Sequence, residues 1–333
     1  MRDLAVLVRK PKAEDTIAEL EAEGVYDDSR KVREHDEELV ELPVTERPTE
    51  TEIEGVIEQD DPERRGADLE ALLSARGWTD EELQRAPKSW AVIGSVILVQ
   101  LDDCPRPEDV GEELLDLHGE AETVLARGGI SGEHREPDVT VIAGTGDTET
   151  VHTEHGTKYG LDLRKVMFAP GNQHERARMG EIVSPDERVF DMFAGIGYFT
   201  LPMARAGAQV TAVERNPASF KFLVENAMLN DVPGRIDAYR ADCREMTDVS
   251  AERVVMGYYD AHEYLDTALD ALEPGGIVHM HETTPENRLW ERPISRLEST
   301  AESRGRDVEI LDTRRVKSHS EGVWHVVVDA KVE

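Results

Sequence analysis

The segment Asp191-Met192-Phe193-Ala194-Gly195-Ile196-Gly197 constrains this chain more than any other, because the apolar strand Arg188-Val189-Phe190 runs into a turn that needs glycine. Two glycines one residue apart permit φ values and approach distances that a Cβ would block, so a ligand can lie against the backbone itself. The segment reads as a nucleotide-binding turn. Nineteen positions after Gly195, Glu214 closes a second apolar strand, Gln209-Val210-Thr211-Ala212-Val213. That is about the spacing at which a carboxylate grips the two ribose hydroxyls of an adenosine ligand.

What the turn lacks narrows the ligand. A dinucleotide fold wants a third glycine beside the pyrophosphate, and Thr200 stands there. Asp191 at the strand end repels a phosphate and suits a cation. S-adenosylmethionine, with a sulfonium, an ammonium and no phosphate, meets both conditions. Further strand ends follow in order: Glu214-Arg215-Asn216-Pro217, Ala241-Asp242-Cys243-Arg244, and Met256-Gly257-Tyr258-Tyr259. In a class I fold for this ligand, the first turn (Asp191, Phe193, Gly195, Gly197) is expected to hold the methionine part and Glu214 the ribose. Asp242 and the Cys243 amide are expected at the adenine edge, and the fourth strand end at the acceptor. Asp242 also reads as a helix N-cap, a role that does not exclude binding.

The surrounding pattern fits that fold class. After Gly156, strands near Val189, Val210, Ile236, Val254 and Ile277 alternate with helical stretches, which demands an α/β, Rossmann-like parallel sheet with helices on both faces and ligands at the strand carboxyl ends. Small α/β domains are expected before it. Residues 1–70 comprise strands at Leu4–Val8 and Leu39–Val44, a helix over Ala13–Glu23 and an acidic linker or long loop from Thr45 to Arg65. Residues 71–155 open on a capping box at Thr79-Asp80-Glu81-Glu82, stapled by Trp78 and Leu83, with a helix stop at Pro87. They continue as one strand over Trp90–Leu101, a helix from about Pro107 to Arg127, and strands at Val139–Ile142 and Thr148–His152. Residues 156–333 form the catalytic domain.

Composition closes off other classes. No run of about eighteen apolar residues exists, and the start, Met1 to Val8, reads as a strand rather than a signal peptide. Cys104 and Cys243 are the only cysteines, which fits a reducing cytoplasm and excludes a thiolate zinc site; the histidines have no paired spacing that suggests a metal. The net charge of −33, with nine lysines against 29 arginines, is extreme, yet glycine turns and apolar strands persist along the chain and argue against disorder. A cytoplasm at molar salt, where the Debye length is about 3 Å, accommodates such a surface. In ordinary salt the same charge would oppose nucleic-acid binding.

The stretch Lys165-Val166-Met167-Phe168-Ala169-Pro170-Gly171-Asn172-Gln173-His174-Glu175-Arg176-Ala177-Arg178, taken with the glycine turn and Glu214 to Pro217, resembles the archaeal and eukaryotic enzymes that modify the purine at position 37 of tRNA. That group has two branches, guanine-N1 methyltransferases and aminocarboxypropyltransferases of wybutosine synthesis. The methyltransferases carry an Asn-Leu-Pro type of turn at the fourth strand, where this chain has Met256-Gly257-Tyr258. With His279 to Thr283, Glu291 to Ile294 and Gly322 to Lys331, that turn is similar to the aminocarboxypropyl branch. Residues 1 to about 70 resemble instead a first domain more usual in the methyltransferases.

The resemblance implies transfer of the 3-amino-3-carboxypropyl group of S-adenosylmethionine to C7 of 4-demethylwyosine in tRNA(Phe). It further implies a cofactor site including Ala169, where serine is common, and Arg176, placed to pair with the methionine carboxylate. Gly257 and Tyr258 face the acceptor, and His281 or Glu282, at the next strand end, is a candidate to take its proton. For the tRNA, the dense basic stretch from Arg288 to Lys317, with Arg292, Arg315 and Lys317, and Arg135 in the middle domain could track phosphates, while Tyr258, Tyr259 or Trp290 could stack on bases. A guanine-N1 methyltransferase, or an inactive tRNA-binding protein with the same fold, are the alternatives.

Overall fold

The computed structural model describes residues 3–27, 30–36, 38–49, 51, 53–59, 68–132 and 136–333. They group into two compact units, Met1–Ala86 and Pro87–Glu333. In the first, β1 (Leu4–Arg9) is followed by α1 (Ala13–Glu23), β2 (Arg33–Glu34), β3 (Leu39–Pro43) and β4 (Gly55–Glu58). The strands pair antiparallel in the order β2-β3-β1-β4. Val6 and Val8 of β1, Leu20 of α1 and Leu42 of β3 bury together. The buried Arg30 Nη2 donates to the carbonyls of Leu4 and Val44 at 2.8 Å, tying two chain segments. The expectation of a loop from Thr45 to Arg65 is corrected at β4, an edge strand whose pairing with β1 supplies what its mixed composition does not announce. Two short helices end the unit, α2 (Leu69–Ala75) and α3 (Asp80–Leu83), the latter with both bonds of the Thr79–Glu82 capping box in place.

The second unit begins with β5 (Trp90–Ile93), β6 (Val96–Val99), α4 (Pro107–Leu117), β7 (Thr123–Ser131) and β8 (Glu136–Gly144), the strands forming one sheet in sequence order. Two expectations change here. The single strand over Trp90–Leu101 is a hairpin, because Gly94 takes φ +57° and a two-residue turn brings Val96 opposite Ile93. The helix expected to Arg127 stops at Leu117, and Thr123 onward becomes the central strand between β6 and β8. Tertiary pairing overrides a helix-compatible composition there. A hairpin of β9 (Glu149–Glu154) and β10 (Thr157–Asp162) follows.

The rest is α5 (Gln173–Ile182), β11 (Arg188–Asp191), α6 (Thr200–Arg205), β12 (Gln209–Val213), α7 (Pro217–Leu229), β13 (Ile236–Tyr239), β14 (Ala251–Met256), α8 (Leu265–Ala271), β15 (Leu272–Pro285), α9 (Glu291–Glu302), β16 (Val308–Ser320) and β17 (Val323–Val332). The sheet order is β13-β12-β11-β14-β15-β17-β16, the first five parallel and β17 antiparallel between its neighbours. All five strands expected from the βα alternation are present. Phe190, Val254, Val255 and Val328 are fully buried, as strands covered on both faces require, each worth ~1.5–3 kcal/mol in burial. The chain leaves β11 toward β12 on one side, while β14 lies on the other. That reversal opens a crevice at the carboxyl ends of the central strands. No helix among the described residues is long and apolar enough to cross a membrane.

Candidate active site

The crevice is lined along its length by Phe193, Gly195, Glu214, Asp242, Tyr258 and His281. Gly195 and Gly197 have φ of +58° and +102°. A Cβ at Gly195 would run into the Tyr198 ring, and one at Gly197 would lie 2.7 Å from Leu201 Cγ, so the turn tolerates no side chain at either place. Glu214 holds this turn in shape. Its Oε2 accepts from the Gly195 amide at 2.9 Å and its Oε1 from the Asn216 amide at 2.6 Å. Burial raises the pKa of this carboxyl, against the two amides that favour its charge.

Asp191 sits beneath the turn with no exposed surface. It accepts from the Thr200 hydroxyl at 2.6 Å, so the residue that replaces a third glycine serves as its partner. Burial pushes Asp191 up to about 6, the Thr200 and Phe193 bonds oppose that, and neighbouring Glu214 adds to it. The partly buried Glu214 at the crevice wall and the fully buried Asp191 behind it give this end of the crevice a negative field that favours positive charge.

Farther along, Asp242 caps the short turn Cys243–Glu245 and is pinned by Arg244, whose Nε lies at 2.9 Å and Nη2 at 2.6 Å. That guanidinium holds Asp242 ionised, below the usual carboxylate range. The adjacent Cys243 is buried, which pushes its thiol up to about 12. Phe193 stacks on Tyr258 with ring centres 5.2 Å apart and meets the edge of Tyr264 at 5.0 Å. The crevice thus has a flat aromatic wall between carboxylates.

At the fourth strand end, Gly257 is needed for a different reason. The Phe199 ring packs on it so closely that a Cβ would stand 2.7 Å from Cε2. Phe199 also leans on His281, 5.2 Å between centres, and His281 Nδ1 lies 3.0 Å from His325 Nε2. Glu282 does not join them. Successive residues of a strand face opposite sides, and Glu282 turns toward α9, where Arg292 Nε at 2.7 Å and Arg296 Nη1 at 2.5 Å hold its Oε1. The expectation that His281 and Glu282 share the acceptor's edge is corrected by that alternation.

Arg176 lines the crevice, but its charge is already matched: Nε and Nη2 grip Glu154 at 2.6 and 2.7 Å, and Nη1 donates to the Ala169 carbonyl at 3.0 Å. The basic stretch is likewise engaged internally. Arg292 serves Glu282, Arg304 pairs with Asp266 and Asp270, and Arg306 satisfies carbonyls at the end of α8. Arg315, half exposed, lies over the Trp324 ring and 3.7 Å from Glu286, and Lys317 approaches Gly171. Arg135 lies outside the described residues. Among the described residues no group of His, Cys, Asp or Glu is gathered for a metal.

Sequence reading passed over Phe199, Tyr264 and His325 as site residues. The signal for His325 was present, a polar residue within the apolar strand Val323–Val332, but only the pairing of β15 with β17 places it beside His281. It passed over a buried charge network too. His279 Nδ1 is 2.6 Å from Asp329, which also takes Arg314 at 2.6 Å and Arg178 at 2.7 Å, while Arg253 donates to His279 Nε2. Because a guanidinium only donates, His279 must carry its proton on Nδ1.

Family models place this geometry among known proteins. The TRM5/TYW2 methyltransferase domain matches residues 150–311 and the TYW2 N-terminal domain residues 69–148. The tRNA(Phe) (4-demethylwyosine(37)-C(7)) aminocarboxypropyltransferase of Pyrococcus horikoshii is 42% identical over 259 residues, covering 76% of this chain and 92% of that protein. The crystal structure of Trm5b from Pyrococcus abyssi superposes with a TM-score of 0.75 at 29% identity and covers 99% of both chains. That of M. jannaschii TYW2 in complex with AdoMet has a TM-score of 0.60 at 36% identity, covering 74% of this chain and 99% of that one.

Proposed function

The chain belongs to the TRM5/TYW2 family, and on that premise we propose that it transfers the 3-amino-3-carboxypropyl group of S-adenosylmethionine to C7 of 4-demethylwyosine at position 37 of tRNA(Phe). The residues present fit this co-substrate: a buried carboxylate with another beside it calls for a cation, and an aromatic wall between acids suits a purine. Phe193 and Gly195, which line the crevice, would hold the methionine part with Asp191 and Gly197 buried behind them, Glu214 the ribose, and Asp242 with the Cys243 amide the adenine. Arg176, paired as it is, would fix the Ala169 carbonyl at the rim. The sulfonium supplies three electrophilic carbons. Which one meets the acceptor depends on how this chain orients it, so positioning carries most of the rate.

The observation that carries the choice of branch is Gly257 under the Phe199 ring. An apolar surface stands where a ring nitrogen would need a hydrogen-bonding side chain, as suits a carbon nucleophile. Trm5b matches this chain along 99% of its length, which favours guanine-N1 methyl transfer as the second reading. Incubation with tRNA and S-adenosylmethionine labelled separately in its methyl and carboxyl carbons decides between them. Mass spectrometry of the nucleoside should find carboxyl label only; methyl label in the RNA would reverse the assignment. Arg315 and Lys317 are the proposed phosphate contacts, and Cys104 and Cys243, neither of them in a disulfide, support a reducing, cytoplasmic setting.

A pH dependence follows from Asp191. Its folded pKa of about 6 lies above the ordinary 3.8, so the unliganded fold favours the protonated form, and stability falls as pH rises from about 4 through 6. A cationic ligand favours the carboxylate, so binding below pH 6 releases a proton. Affinity for S-adenosylmethionine should therefore rise about tenfold between pH 5 and 7 and then level. Calorimetry in two buffers of different ionisation heat measures both the affinity and the released proton. An affinity flat over that range would exclude Asp191 as the cation's partner, and Asp191→Asn should remove the slope.

A further inference from the structure

We propose that His281 and His325 form a coupled imidazole pair that removes the proton from the acceptor carbon, His281 as the residue facing the acceptor and His325 as the positioning residue that takes up the charge behind it. This rests on the aminocarboxypropyl reading, and its test separates the two.

The pairing of β15 with β17 sets Thr283 opposite His325 and His281 opposite Val327, so the two histidines are diagonal neighbours on one face. Both are at most 2% exposed and both line the crevice. With His281 Nδ1 engaged by His325 Nε2, Nε2 is the His281 nitrogen left for a ligand. On the far side, His325 Nδ1 is buried with no hydrogen-bond partner. A buried polar atom left without a partner costs stability, so the packing around His325 does not by itself account for the histidine. The Tyr259 ring closes over His325 at 4.9 Å and Phe199 over His281.

The other acids of the crevice are committed: Asp191 to Thr200, Glu214 to the turn amides, Asp242 to Arg244, and Glu282 faces α9. Both imidazoles stay neutral, chiefly through burial. Around them stand Arg314, Lys317 and His319 of β16, His279 of β15, Asp329 of β17 and Glu175 of α5. Each ring therefore has a lone pair at neutral pH.

The acceptor ring donates a π pair to the donor's γ-carbon, the carbon–sulfur pair stays on sulfur, and the sulfonium becomes a neutral thioether. The positive charge now lies on the acceptor ring, whose reacting carbon still bears its proton and is strongly acidic. That proton passes to His281 Nε2, the carbon–hydrogen pair restores the aromatic ring, and the proton on His281 Nδ1 moves to His325 Nε2. His325 ends as the imidazolium, and a weak base suffices because the acid is a cation.

The test uses the full chain with tRNA carrying the acceptor, protium or deuterium at the reacting carbon, in single-turnover experiments. His281→Ala should slow transfer about 10²- to 10⁴-fold. It should also expose a primary isotope effect absent from the parent, while S-adenosylmethionine affinity by calorimetry stays within about threefold. His325→Gln should slow transfer less and shift the pH profile. In ¹⁵N spectra of the unliganded protein His325→Leu, which offers His281 Nδ1 no partner, should change the His281 tautomer, a readout independent of turnover. His325→Asn serves if the glutamine variant melts early. Parental rates with no isotope effect in both variants, or an unchanged His281 tautomer, would overturn the pair. Methyl label in the parent's product would instead overturn the reading of the reaction.

Discussion

Glu214→Ala is expected to weaken S-adenosylmethionine binding by at least about a hundredfold, close to 3 kcal/mol, while leaving the fold intact. The carboxylate is the clasp of the glycine turn as well as the candidate ribose ligand: it accepts from the Gly195 and Asn216 amides and retains lone pairs toward the crevice. Charge-assisted bonds to hydroxyls contribute about 1.5–3 kcal/mol each, and truncation also releases two amides that define the turn. Stability should change little, because burial raises the pKa of this carboxyl and its removal relieves that cost. Glu214→Gln, keeping one acceptor oxygen, should fall between. Calorimetry and a thermal melt on the same samples separate the two effects, and an unaltered affinity would refute the ribose assignment.

The second large effect concerns stability. Asp329→Ala should cost about 3–5 kcal/mol, the usual loss when one member of a buried ion network is deleted. Asp329 is the common partner of His279, Arg314 and Arg178, and Arg314 continues to Glu175 of α5. Removing it leaves two guanidinium groups and a buried imidazole facing one another. The network joins α5 to β15, β16 and β17, so cofactor affinity should drop with stability through Arg176 on the same helix. Desolvation works against the Asp329 charge, but His279 and Arg314 outweigh it and hold the carboxyl far below its ordinary range. A depressed pKa stabilises the fold above the unfolded value of 3.8, and that contribution is lost as pH falls below it. The parent should therefore show an acid-induced loss below pH 4 that the variant lacks. Denaturant melts at pH 7 and pH 3 would show it; a variant within 1 kcal/mol of the parent would mean that the arginines find other partners.

Much of the cofactor end was legible because its chemistry is local. A strand end, two glycines and an acid at fixed spacing specify backbone geometry within about twenty-five residues, and Thr200 turned out to serve Asp191 directly. The acceptor end was less legible. His281 was visible and His325 was not, since their bond depends on register across 44 residues of sequence. Glu282 looked equivalent to His281 until strand alternation sent it to α9. The arginines after Arg288 looked like a surface for RNA, yet most close onto acids or carbonyls of the same unit. Charge in sequence gives sign and density; only packing shows which charges are already neutralised.

The five parallel strands from β11 to β15, the glycine turn and the acids that follow it were legible in the sequence alone, because backbone propensity, hydrophobic period and left-handed φ act over a few neighbouring residues. The splitting of the Trp90–Leu101 run, the facing of Glu282, the pairing of His281 with His325 and the closure of the Asp329 network were decided only by tertiary structure. Each depends on which distant segment arrives beside it, and a side chain's partners are fixed by sheet register and burial rather than by its own identity.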